Sequence, residues 1–137
     1  MLRNEMDAED ILQNSFVDVY SNLDSFNYQA TPGAWIKRIV INNCINHLKK
    51  RRINFVEMSN VADIFEQTDS SKDYDVDVNK IKSAMNLLSD GYRTVFSLYA
   101  LEGYDHAEIA EVLDISESTS KSQYHRAKIK IKRMLAL

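Results

Sequence analysis

Two helix starts stand close together near the end of the chain, at Asp105 and Ser116, with room between them for only one short helix and a tight turn. Asp105 and Glu108 form an Asp-x-x-Glu capping box, in which each side chain satisfies a backbone amide that the first helical turn leaves without a partner. Ile109, Ala110 and Leu113 give the short helix an apolar side. Asp114-Ile115-Ser116 makes the turn, and Ser116 caps a final helix. Its inward stripe is Ser120, Tyr124, Ala127, Ile131 and Leu135, which leaves Lys121, Ser122, His125 and Arg126 largely outside. A short capped helix, a tight turn and a second helix make a helix-turn-helix.

Upstream of this unit, Ile81, Ala84, Met85 and Leu88 mark one helix. Ser89 caps the next, which carries Tyr92, Val95, Phe96 and Tyr99 and ends at Gly103 as a C′ residue. The first part of the chain reads as two more helices. One runs from Asp7 to about Leu23, with Ile11, Leu12, Phe16, Val19, Tyr20 and Leu23 at helical spacing. Asp24–Thr31 has no helical period and reads as a loop. Thr31-Pro32 is an N-cap followed by proline at N1, opening a helix to about Arg52. Its buried side is expected to hold Trp35, Ile36, Ile39, Val40, Cys44, Ile45 and Leu48. Phe55 to Val78 is acidic and polar, with isolated apolar residues at Val61, Ile64 and Phe65, and reads as a linker. The expected fold is all-α: small helical domains at 1–53 and 79–137, the second of four helices, joined by an acidic linker at 54–78.

Composition agrees. Only three Gly and one Pro occur, which favours helices with short connections. The single Cys44 excludes an intramolecular disulfide and fits a reducing cytosol. No apolar run approaches the roughly 18–20 residues of a membrane span, and no charged-then-apolar leader opens the chain. The expectation is a soluble cytoplasmic protein without membrane insertion.

The net charge of −3 hides segregation. Ser25–Val56 contains no acid but has Lys37, Arg38, Lys49, Lys50, Arg51 and Arg52; after Glu117 the chain is basic again. Between them, Glu57–Asp77 holds seven acids and one base. Basic blocks attract phosphate and release its counterions. One such block is as readily a solvated helix face; two, each ending a predicted helix, favour nucleic acid. In the final helix, Lys121 and Arg126 suit phosphates or guanine acceptors, and Ser122 and His125 suit base edges. An ordinary helical hairpin with a basic face fits the spacing nearly as well.

A family resemblance separates these readings. Leu88–Phe96 (LSDGYRTVF), Glu102–Ala110 (EGYDHAEIA), Ile115–Ser122 (ISESTSKS) and Arg126-Ala127 closely resemble region 4 of the extracytoplasmic-function (ECF) sigma factors of bacterial RNA polymerase, in the sigma-70 family. Asp7–Gln13 (DAEDILQ), Phe16, Phe26, Trp35-Ile36-x-Arg38-Ile39, Asn42 and His47-Leu48 resemble region 2 of the same family. Both sets stand in the family's order and separation.

The resemblance implies a sigma factor that directs core RNA polymerase to promoters. Asp10, Gln13, Asn14 and Phe16 would face the polymerase clamp. The loop Asp24–Gly33 would capture an unstacked base of the −10 element, with Asn42 lining the pocket. Melted DNA needs aromatics for its bases and cations for its backbone; Phe26, Tyr28, Trp35, Lys37, Arg38, Lys49 and Arg51 supply both. Lys121, Ser122, His125 and Arg126 match positions that read the −35 element. His106 and Thr119 match phosphate-contacting or helix-positioning sites. An anti-sigma factor is a further implied partner, and no cofactor or metal is implied. The sequence departs from the pattern at Ser118, Ser120 and Gln123, where glycine, valine and arginine are common, which is expected to weaken packing or phosphate contacts of the last helix. The family also carries a helix ahead of the one at Asp7, so that helix's apolar side is expected to be partly uncovered.

Other classes have less support. His47, His106 and His125 lie in separate segments without partners at metal-ligand spacing, and no phosphate-binding loop or nucleophile motif occurs, so catalysis is not expected. Cys44 on an apolar side reads as packed. A stand-alone helix-turn-helix regulator would not need the acidic first helix, the aromatic loop and Trp35–Arg52 together. A pure protein-interaction module is compatible with the same helices.

Overall fold

The computed structural model describes residues 1–51 and 77–136, which form six α-helices and no strand. Most of the acidic segment 54–78, including Phe55, Val61, Ile64 and Phe65, lies outside the described residues, as do Arg52 and Leu137.

Helix α1 spans Glu5–Ser21. It starts two residues before the sequence expectation, because Asn4 is the cap: its Oδ1 accepts from the amides of Met6 and Asp7. A 3₁₀ turn, Leu23–Ser25, follows. Helix α2 spans Pro32–Lys50, with the expected Thr31 cap accepting from the Ala34 amide. The expected α1 stripe is only partly used. Ile11 and Val19 are half-buried, whereas Leu12, Phe16, Tyr20 and Leu23 are exposed. Polar groups hold α1 to α2 instead. Asn43 Nδ2 donates to Ser15 Oγ at 3.0 Å and to Asp18 Oδ2 at 2.8 Å, and Ser15 donates to the Ile11 carbonyl. Asp7 closes the other end, 3.2 Å from Arg51 and 3.6 Å from His47.

Helices α3 (Val78–Leu87), α4 (Asp90–Phe96), α5 (His106–Leu113) and α6 (Glu117–Met134) build the C-terminal half. Asp77 caps α3, and Ser89 sits at the N-cap of α4. Helix α4 runs on into a π-helical turn, Ser97–Leu101, closed by Gly103 at φ +74°, a backbone that glycine adopts without a Cβ clash. Arg93 is 2% exposed and pins the α3–α4 corner: it bonds the Leu88 carbonyl at 2.8 Å, the Met1 carbonyl at 2.9 Å and the Asp90 carboxylate. Burial, with Arg3 nearby, lowers its pKa to about 10.

Two apolar clusters form. Ala84, Met85, Leu88, Tyr92, Ala127 and Ile131 join α3, α4 and α6. The other crosses between the halves: Ile41, Ile45 and Leu48 of α2 pack with Val95, Leu98, Ile109 and Leu113. This corrects the expected buried side of α2. Ile41, missing from that list, is in the core, whereas Trp35, Ile36, Ile39, Val40 and Cys44 are only half-buried. The reason is that α2 is packed on two sides. One side, at Asn43 and His47, meets α1; the other, at Ile41, Ile45 and Leu48, meets the C-terminal half. Each of these three apolar side chains contributes on the order of 1.5–3 kcal/mol on burial.

Candidate nucleic-acid interface

The helix-turn-helix is built by its caps. The Glu108 amide donates to Asp105 Oδ1 at 2.8 Å, and the Asp105 amide donates to Glu108 Oε2 at 2.9 Å, completing the expected box. Asp114 takes the left-handed conformation, φ 55° and ψ 49°, which turns the chain sharply after Leu113. Asp tolerates this better than most residues because its short polar side chain bonds locally. Ser116 Oγ then accepts from the Thr119 amide at 3.0 Å and meets Thr119 Oγ1 at 2.7 Å. Thr119 is therefore tied into the cap of α6.

The inward stripe of α6 is as expected: Ser120, Ala127 and Ile131 are buried, and Tyr124 and Leu135 are half-buried. Lys121 and Ser122 are exposed at the start of α6, and His125 and Arg126 are half-buried one turn on. Lys121 lies 3.3 Å from Glu117 in a solvent-facing i,i+4 pair, which restrains its amine only weakly. Lys130 sits over the Tyr92 ring, 4.3 Å from its centroid.

His106 is turned toward the protein. Its Nδ1 lies 2.9 Å from Ser120 Oγ, and its ring stacks on Tyr99 at 4.4 Å, with Tyr124 at 5.9 Å. Tyr124 in turn contacts Tyr99 and stacks on Phe96. Burial, then the charge of Lys121, lowers the pKa of His106. Burial raises those of Tyr104 and Tyr124. This ladder fixes α6 against α5 and the π turn. Ser120, expected to weaken packing, is fully buried and joins the two helices by its contact with His106. Gln123 is likewise buried.

In the N-terminal half, Phe26 stands 5.1 Å from Trp35 and 4.8 Å from Tyr28, ring to ring. Tyr28 has a left-handed backbone, φ 60°, and is 86% exposed. Beside this cluster is a cleft of about 300 Å³ lined by Asp18, Asn22, Ser25, Trp35, Ile39, Asn42 and Asn43. The structure thus brings Trp35 and Asn42 together on one cleft, with Phe26 tilted against Trp35 and Tyr28 tilted against Phe26. Asn43, unflagged in the sequence, joins them; the adjacent Asn42-Asn43 pair in an apolar helix was the available signal. Arg38 and Lys49 are exposed. Two other cations are engaged: Arg51 with Asp7, and Lys37 with Glu102 at 2.6 Å, a bond that raises the Lys37 pKa. Lys49 and Arg51 lie at the far end of α2 from the aromatic cluster. Asp10, Gln13, Asn14 and Phe16 are all exposed on α1. Cys44 is half-buried, and burial raises its thiol pKa.

Among the described residues, no group of three or more His, Cys, Asp or Glu could hold a metal, and no helix is long and apolar enough to cross a membrane.

Comparison with known proteins finds two family models on the chain: sigma-70 region 2 over residues 1–53, and sigma-70 region 4 over residues 79–131. The ECF RNA polymerase sigma factor SigW of Bacillus subtilis is 31% identical, over 98% of this chain and 79% of its own length. The ECF RNA polymerase sigma factor SigM of Mycobacterium tuberculosis is 26% identical over 97% of this chain; the chain spans 66% of that relative's length, just under two thirds. Among solved structures, the sigma factor RpoE from Bartonella quintana, in complex with the anti-sigma factor NepR, matches with a TM-score of 0.63 at 24% identity. The match covers 99% of this chain and 85% of that one, a likeness of fold.

Proposed function

The chain belongs to the sigma-70 family, in its extracytoplasmic-function group, and from that premise we propose that it directs core RNA polymerase to specific promoters. The halves 1–53 and 79–137, joined by 54–78, divide the work. The C-terminal half reads the −35 element with the face of α6 that carries Lys121, Ser122, His125 and Arg126. The N-terminal half engages the −10 element and holds it open. Phe26, Tyr28 and Trp35 offer stacking surfaces to an unstacked base, and Asn42 offers an amide donor and acceptor to its edge beside Asn43, whose Nδ2 is committed to Ser15 and Asp18. Arg38, Lys49 and Arg51 attract the strand backbone. Thr119 and His106 hold α6 at its working angle. The exposed outer side of α1, with Asp10, Gln13, Asn14 and Phe16, meets polymerase. The chain catalyses nothing itself; bond-making belongs to the polymerase. It acts in the cytoplasm, and an anti-sigma factor is the proposed regulator, supported by the anti-sigma complex of the Bartonella structural relative.

One observation carries this reading: the same chain holds a helix-turn-helix with a solvent-facing basic start and, separately, an aromatic-flanked polar cleft of about 300 Å³. A stand-alone regulator has use for the first and none for the second. The test is promoter-specific initiation by core polymerase on addition of the purified chain. If the chain binds promoter DNA but not core polymerase, the stand-alone regulator replaces this reading.

A further inference from the structure

The cleft beside Phe26 and Trp35 spends most of its donors inside the protein. Asn43 Nδ2 gives both its protons away, one to Ser15 Oγ at 3.0 Å and one to Asp18 Oδ2 at 2.8 Å. The amide is fixed this way round, because turning it over would set its carbonyl oxygen against the Asp18 carboxylate. Asn22 Nδ2 donates to the Asp18 carbonyl at 2.8 Å, and Ser25 Oγ donates to the Asn22 carbonyl at 2.7 Å. Left for a ligand are chiefly acceptors: Asp18 Oδ1 and the side-chain oxygens of Asn22 and Asn43, none of which accepts a bond from another described residue. Asp18 is also the one charged residue among the described residues that line the cleft.

A carboxylate at this place repels phosphate, so the cleft suits a base edge and not the strand backbone. Arg38, exposed on α2 four residues before Asn42, offers the backbone a cation outside it. Base edges differ in what they give an acceptor. Cytosine, adenine and guanine each carry an exocyclic amine, whereas thymine carries none and presents carbonyl oxygens. An amine donating to a carboxylate makes a charge-assisted bond, and a carbonyl placed there meets like polarity.

We infer that Asp18, held by Asn43, is the specificity-determining residue of the cleft and selects an unstacked base that carries an exocyclic amine over thymine. The inference rests on the reading of this cleft as the site for an unstacked base, and it deepens that reading. Selection then lies on α1, outside the loop Asp24–Gly33. The aromatics Phe26, Tyr28 and Trp35 meet the face of any base, which makes them tolerant of sequence; Asp18 reads the edge.

The test measures binding of the full chain, alone and with core polymerase, to fluorescein-labelled oligothymidine strands that carry one substituted base. Three pairs isolate the amine: cytosine against deoxyuridine, adenine against unsubstituted purine, and guanine against hypoxanthine. At least one amine-bearing strand should bind about tenfold tighter than its partner, and the pair with the largest ratio identifies the base. In Asp18→Asn the new carbonyl stays toward Asn43 and the new amide N–H takes the place of Oδ1. The ratio should therefore fall to near one or below, with deoxyuridine gaining. Ser15→Ala loosens the same clasp without touching the acceptors, so it should lower stability and keep the ratio; a merely structural Asp18 would make the two variants alike. The wild-type ratios decide the matter even if Asp18→Asn does not fold. Equal binding within all three pairs, binding to no strand, or a ratio unchanged in folded Asp18→Asn overturns the selection. A chain that shows the ratios yet supports no initiation with core polymerase leaves the selection standing and removes the sigma reading instead. Initiation by a chain with equal ratios does the reverse.

Discussion

The helix-turn-helix and the α1–α2 pair are held together by opposite strategies. In α5–α6 the decisive contacts are short-range: Asp105 to Glu108, Ser116 to Thr119, and the left-handed Asp114 between them. In α1–α2 they are long-range: Asn43 to Ser15 and Asp18, Arg51 to Asp7, and the apolar face of α2 lent to the other half. Ser15 is the one fully buried residue of α1, while Tyr20 is 80% exposed. A unit defined by local caps keeps its shape wherever it is docked. A pair that places its best apolar residues on a neighbour depends on that neighbour for stability.

The comparison breaks most visibly at Leu48, which is 2% exposed within the shared core. Leu48→Ala should cost about 2–5 kcal/mol, the usual loss for such a cavity. Trp35 fluorescence reports the N-terminal half and far-ultraviolet circular dichroism reports all helices. In urea, a shared core requires the two signals to shift together; a Trp35 transition that moves alone would separate the halves.

Asn43→Ala should cost about 1–3 kcal/mol, because it strips partners from the partly buried Asp18 carboxylate and Ser15 hydroxyl. A loss no larger than that of an exposed surface alanine would deny α1–α2 its polar clasp. Lys121→Ala or Arg126→Ala should weaken a −35 duplex by an effect of similar size, about 1–3 kcal/mol, if the side chain reads a base bidentately. An equal loss on all sequences assigns a phosphate contact instead.

Asp105→Ala should cost about 1 kcal/mol, the worth of an N-cap. Because that contact is local, hydrogen exchange should quicken in α5 and leave α1 unchanged. The smallest effect concerns pH. His106 has a lowered pKa in the folded chain, so its neutral form is the one folding favours. Its contribution is fully present above the ordinary histidine value of about 6.5 and declines as pH falls below it, where the unfolded chain binds the proton more readily. His106→Gln should flatten that part of the stability profile in thermal melts; an unchanged slope assigns it to other groups.

What the amino-acid sequence determined by itself was set within a few residues: the cap at Thr31, the box at Asp105–Glu108, the turn at Asp114, the cap at Ser116, the left-handed Gly103 and the stripe of α6. These follow from backbone amides that must find partners and from the helical period, both local properties. The face proposed to read bases was also legible, since Lys121 and Ser122 fall outside the stripe on any straight helix. Tertiary structure alone decided the rest. Ile41 entered the core because α2 packs on two sides, and a single hydrophobic period describes only one. Lys37 met Glu102, Asn43 met Asp18, and His106 met Ser120 and Tyr99 across distances in sequence that no spacing rule connects. The packing of one half onto the other belongs to this second class: apolar side chains are buried by whichever surface excludes water from them, and the chain's order does not name that surface.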